Sequence, residues 1–102
     1  MKEYKVRILD TVFADIDDIA DFIVSVSTLE HAAKYARELG AEIMTLRYLA
    51  DFIPESRYRS VRHYHPHAKQ LRTRNKQLNI IFHIEGDYVI VDKILASKMI
   101  IN

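Results

Sequence analysis

The sequence predicts an α+β domain in the order β-α-α-β-β-β, a helical hairpin packed on a small, mostly antiparallel sheet. Three observations carry this. Near the start, Tyr4, Val6 and Ile8 alternate with Lys5 and Arg7, the period of a half-buried strand. Two stretches then place apolar residues every three to four positions, the period of an amphipathic helix. Beyond Pro54 the pattern turns to short strand-like runs, and helices followed by strands mark the α+β class. A chain of 102 residues fits one domain, 1–102.

Each element has a local reason. Asp10 or Thr11 offers a side-chain oxygen as N-cap for the first helix. Its buried stripe is Val12, Ile16, Ile19, Ala20 and Ile23, with Asp15, Asp17, Asp18 and Asp21 between them. Ser27 and Glu30 read as a capping box for the second helix. The second stripe runs through Ala32, Ala36, Leu39, Ile43, Leu46, Ala50 and Ile53, so one long helix is expected up to Pro54, with a bend or close packing at Gly40. The short link at Ser25 to Thr28 makes the pair an antiparallel hairpin. Tyr58–Val61 and Lys69–Arg74 are candidate strands. Asn79–Ile84 is a strand whose continuous Ile80-Ile81-Phe82 core suggests cover on both faces. Glu85-Gly86-Asp87 is a turn, and Tyr88–Leu95 the last strand.

Composition narrows the function. With no cysteine, the chain has no disulfide scaffold, no thiol nucleophile and no cysteine-ligated metal. No apolar run approaches the ~20 residues of a membrane helix, and the N-terminus lacks a signal-peptide pattern, so a cytoplasmic protein is expected. The net charge of +1 is an average over unlike parts. Residues 1–55 hold 6 basic and 11 acidic side chains, a balance of −5. Residues 56–84 hold 7 basic and no acidic side chains, together with His63, His65, His67 and His83. Residues 85–102 return to −1. A local positive field of this kind attracts anionic partners.

The ordered set of patterns resembles the RelE/ParE family, the toxin half of bacterial toxin–antitoxin, or plasmid-stabilisation, modules. The likeness runs from about Tyr4 to Met99. Tyr4-Lys5-Val6-Arg7-Ile8 resembles the opening strand. Ala14-Asp15-Ile16-Asp17-Asp18-Ile19-Ala20-Asp21-Phe22-Ile23 is similar to the family's A-x-x-D-L-x-x-I-x-x-Y-I. Asn79-Ile80-Ile81-Phe82-His83-Ile84 resembles N-Y-x-I-F-Y-x-I, and Val89 to Met99 resembles I-x-I-x-R-I-L-H-x-R-M. The departures are Lys93 in place of arginine, Ala96 in place of histidine, His83 in place of tyrosine, and a tail without tyrosine.

The resemblance implies a toxin that stops growth by ribosome-dependent mRNA cleavage or, like members resembling ParE, by inhibiting DNA gyrase without catalysis. A basic binding module without toxicity is a third reading. The implied partners are a cognate antitoxin and the ribosome with its mRNA, or gyrase; DNA contact would be indirect, through the antitoxin. No cofactor, metal or membrane is implied.

Metal-free RNA cleavage needs a base, an acid and cations around the phosphorane, roles that suit histidine and arginine. Arg72 aligns with a basic position of the family, and in a strand it would share a face with Arg74 as a phosphate clamp. The alternative for both is exposed strand charge. His83 is a candidate acid/base or a packed strand histidine. Lys93 matches a family basic position or is an exposed sheet lysine. Arg72, His83 and Lys93 are thus the catalytic candidates, and Arg57, Arg59, Arg62, Lys69, Arg74 and Lys76 the phosphate-binding ones. His63, His65 and His67 would share a face in an extended segment, a pattern open to a metal or, for one of them, to general acid/base work, but Pro66 points to a solvated loop. Tyr58 and Tyr64 lie among the arginines, placed either to stack on bases or to bury against the helices. A basic groove between the helical hairpin and the sheet is expected.

Overall fold

The first strand, β1 (Lys5–Ile8), sends Val6 and Ile8 inward and leaves Lys5 and Arg7 exposed. Helices α1 (Asp10–Val26) and α2 (Leu29–Met44) follow, then a helical turn α3 (Leu46–Leu49) and a 3-10 turn at Ala50–Phe52. A second single turn, α4 (Arg59–Arg62), precedes the strands β2 (Lys69–Arg72), β3 (Leu78–Glu85) and β4 (Tyr88–Ala96). This computed structural model describes residues 2–101. The sheet order is β1-β4-β3-β2, with β1 parallel to β4 and the other pairs antiparallel. The expected α+β architecture is therefore present, with one parallel pair.

The sheet separates two cores. On one side Ile80 and Phe82 of β3 and Val89 and Val91 of β4 meet Val12, Leu39 and Ile43 of the hairpin. On the other, Ile81 and Leu95 meet Val61 and Ala68, with Tyr64 and Ile100 packed against them. Ile80, Ile81 and Phe82 are all fully buried, so the apolar run does mark a strand covered on both faces. The β3–β4 connection is a two-residue turn, since Glu85 pairs with Tyr88. Gly86 has φ +60°, and a positive φ at the first loop position suits a type II′ hairpin turn.

Several local expectations fail for identifiable reasons. Tyr58–Val61 is not a strand: Tyr58 N–H donates to Ser56 Oγ (3.1 Å), and the chain winds into α4. Four residues with one buried apolar side chain, Val61, fit either period. At Gly40 no close packing is present, since a side chain there would meet open space; the second helix runs on through it and breaks at Thr45, whose hydroxyl donates to Glu42 O at 2.6 Å. Leu46 and Ala50 nonetheless stay fully buried, so the seam runs through the break. The first helix begins without a side-chain cap, after an extended Leu9. Thr28, not Ser27, caps α2, its Oγ1 accepting from His31 N–H at 3.0 Å. Lys69–Arg74 is shortened to Lys69–Arg72, because the buried Thr73 turns inward to bond Asn75 Oδ1 and Leu78 O.

The cores predict a contrast in stability. Phe82→Ala should cost about 3–5 kcal/mol, since the ring is fully buried. Phe22→Ala, at a side chain 64% exposed, should cost less than about 0.5 kcal/mol. Urea denaturation followed by far-UV circular dichroism reads both.

Candidate functional site

Most of the exposed arginines do not line a groove between the hairpin and the sheet. The larger core occupies the middle of that space, Arg74 borders a hollow at its margin, and Arg57, Arg59, Arg62 and Arg72 collect across the sheet, around α4 and β2. Arg57, Arg59, Arg62 and His63 are exposed and surround one open depression with Ser60, Pro66 and Ile101. A smaller hollow beside it, about 200 Å³, is lined by Tyr58, Gln70, Arg72, Asn79, Ser97 and Ile100. Its floor is a chain of neutral hydrogen bonds. Ser56 Oγ–H donates to Gln70 (2.7 Å), Gln70 to Asn79 (3.4 Å), Asn79 to Ser97 (2.9 Å), and Ser97 to Lys76 O (2.8 Å).

The nominated residues divide among separate places. Arg72 stands at the rim of this hollow, its Nε–H donating to Lys76 O at 3.3 Å. Arg74 does not share its face, because β2 has ended; it borders a hollow against Tyr35, Glu38 and Glu42 of α2. Lys76 is exposed in the β2–β3 turn, at φ 65°. Lys69 is partly buried, and its ammonium donates to Ala50 O at 2.9 Å. Tyr58 is 43% exposed at the hollow, whereas Tyr64 packs on the smaller core.

Lys93 pairs with Asp15 of α1 at 2.8 Å. Strand β1 ends opposite Val91, so beyond it the outer edge of β4 has no strand neighbour, and Asp15 Oδ2 also accepts Ile94 N–H at 3.4 Å. The hydrogen bond to Asp15 raises the Lys93 pKa above the ordinary 10.5, against a smaller opposing effect of burial.

His83 is buried with its ring held between carboxylates. Nδ1 lies 2.7 Å from Asp92 Oδ2 and Nε2 lies 3.3 Å from Glu85 Oε2. Both ring nitrogens are thereby engaged by side-chain oxygens. The ring's face is covered by His65, stacked at 3.7 Å between centroids with 1° between planes. Asp92 owes its position to a β-bulge: Ile81 pairs with Lys93 and Phe82 with Val91, which leaves Asp92 as the extra residue on β4. Burial raises the Asp92 pKa above 3.8, and the hydrogen bond from His83 opposes it.

His63, His65 and His67 do not converge. His63 faces the arginine depression, His65 covers His83, and the exposed His67 meets Glu55 at 3.2 Å. Among the described residues no group of three or more histidine or acidic side chains is arranged to hold a metal.

Sequence reasoning missed Asp92, Glu85, His65 and Asp15 as partners. For Asp92 a signal existed. The tight turn at Gly86-Asp87 sets the register opposing His83 to Ile90, and Asp92 lies two residues further on the same strand. Asp15 and His65 meet their partners only through tertiary folding.

No family model matches the chain, and no curated protein is significantly similar to it in sequence. Among solved structures, a chain from "Chromosomal ParDE TA system from P. aeruginosa" superposes with a TM-score of 0.77. The match covers 92% of this chain and 96% of that one. The two share a fold. Their sequence identity is 17%, so the likeness lies in the arrangement of elements. No described helix is long and apolar enough to cross a membrane.

Two outcomes follow. Asp92→Ala, which leaves the buried His83 Nδ1 without its hydrogen-bond partner, should cost about 1–3 kcal/mol in chemical denaturation, and Asp92→Asn should recover part of it. Lys93, and Tyr4 through its hydrogen bond to Asp51, both have pKa values raised above the ordinary 10.5 and 10.0. The stability they add is fully present below those ordinary values and is lost as pH rises through the raised ones. Lys93→Met should therefore flatten part of the alkaline decline in a pH series of melting temperatures.

Proposed function

We propose that the chain is the toxin of a two-protein toxin–antitoxin pair, and that it acts by binding its target through the basic face of α4 and β2. One observation carries the reading. The acid-free segment presents Arg57, Arg59, Arg62 and Arg72 to solvent, whereas His83 and Lys93 are engaged by carboxylates. A surface with exposed guanidinium groups, and with proton-transfer candidates engaged by carboxylates, suits gripping better than cleaving. The fold shared with the ParDE chain supports the toxin–antitoxin part of the reading. DNA gyrase is the target that the ParE resemblance implies. A cognate antitoxin would neutralise the toxin by covering this face, and DNA contact would be indirect, through that antitoxin. No cofactor is part of the reading, and a cytoplasmic location follows from the target.

A second reading, ribosome-dependent mRNA cleavage, is favoured by His63. It is exposed beside three arginines, where a proton-transfer group and a phosphate clamp would meet.

Induction of the wild-type gene should arrest growth and block DNA supercoiling by gyrase in extracts. Combined Arg57→Ala, Arg59→Ala and Arg62→Ala should relieve the arrest at least about 10-fold in plating efficiency. Codon-phased cuts on ribosome-associated message, lost in His63→Ala or Arg72→Ala, would overturn the binding reading in favour of cleavage. Absence of arrest would remove both.

A further inference from the structure

The segment that carries the arginines is attached to the sheet at a few points, and Tyr64 and the buried Ala68 anchor it on the smaller core to either side of His65. At its start, Ser56 holds it through the Gln70 hydrogen bond and through Ser56 N–H to Ala68 O at 2.8 Å. In its middle, Val61 is fully buried, and Ser60 exchanges hydrogen bonds with the backbone of Ile101. After α4 the chain must return to β2, and there His65 alone of the three loop histidines reaches the sheet.

The contact is specific. The two rings lie parallel, with 1° between planes and 3.7 Å between centroids. Asp92 and Glu85 hold the His83 ring in place through its two nitrogens. The His65 ring is held from its own side, because its Nδ1 accepts the His67 backbone N–H at 3.0 Å. The groups facing the stack are therefore Asp92 from β4, Glu85 from β3, and the His67 amide from the loop itself. His67 in turn meets Glu55.

We propose that His65 is a positioning residue: by stacking on the carboxylate-held His83 it fixes the Arg57–Ala68 segment, so that the α4 arginines and His63 stand as a preformed set. Its importance for activity rests on the basic-face reading above, but the device itself is a property of the fold. A preformed set of cations loses less freedom on meeting an anionic surface than a mobile one.

Hydrogen exchange measured by NMR on the full chain tests it. The amides of Tyr64 and Ala68, which bond Val61 O and His65 O, are the reporters. His65→Ala should speed their exchange about 3- to 10-fold, the size of one lost aromatic pair, while amides of α1 and α2 stay unchanged. His65→Phe, which keeps a ring over His83, should restore protection. Unchanged exchange in His65→Ala, or failure of phenylalanine to restore it, would overturn the proposal. The growth-arrest assay of the triple arginine variant decides the basic-face reading separately, so the two can fail independently.

Discussion

Burial of β3 on both faces is the constraint on which the rest of this structure depends. Alternate residues of one strand must satisfy two different environments. Ile80 and Phe82 require the helical hairpin, and Ile81 requires a second cover that the hairpin cannot supply. The segment from Ser56 to Ala68 exists in its observed form to provide that cover. Val61, Tyr64 and Ala68 close over Ile81 and Leu95, and their exposed neighbours are the arginines. The basic surface is thus the outer side of a small structural lid, and its geometry is inherited from the core beneath it.

The same two-sidedness explains why a histidine sits in the middle of the sheet. His83 follows Phe82 and must face the second cover, where a polar ring needs partners. The bulge at Asp92 delivers one carboxylate, the end of the hairpin delivers another in Glu85, and the lid delivers a ring in His65. Asp15 serves the outer margin of β4 in a similar way, bonding Lys93 and the strand's free amide together. The last segment of the chain therefore pairs with both others, Asp92 and Glu85 with His83 and Lys93 with Asp15, while the arginines of α4 remain outside this compensation.

Much of this was legible in the sequence where a pattern is long or chemically restrictive. The Ile80-Ile81-Phe82 run announced a strand covered on both faces, the second seam announced Leu39, Ile43, Leu46 and Ala50 as core, and Gly86 announced its turn. Short or context-dependent features were not legible. Four residues around Tyr58 cannot distinguish a helical turn from a strand, and a threonine at position 45 interrupts a helix only when its hydroxyl takes a nearby carbonyl. The basic character of the candidate site could be counted directly. Its location could not, because which face of the sheet the segment after Pro54 covers is decided by tertiary packing on Ile81 and Leu95. Nor could the split of Arg72 from Arg74, which follows from the inward turn of Thr73.

The parallel pairing of β1 with β4 carries a consequence for the timing of synthesis. Lys5 finds its partner in Tyr88, and Ile8 in Val91, so the first strand made is completed by the last. Such distant pairing is slow to form. At about 5–20 residues per second, the ribosome takes roughly 4–17 s to make the intervening chain. Throughout that interval Val6, Ile8 and the inner face of α1 have no sheet to bury against. The fold can adopt its native topology only after β4 has left the exit tunnel, and the arginine-bearing lid acquires its support at the same late moment.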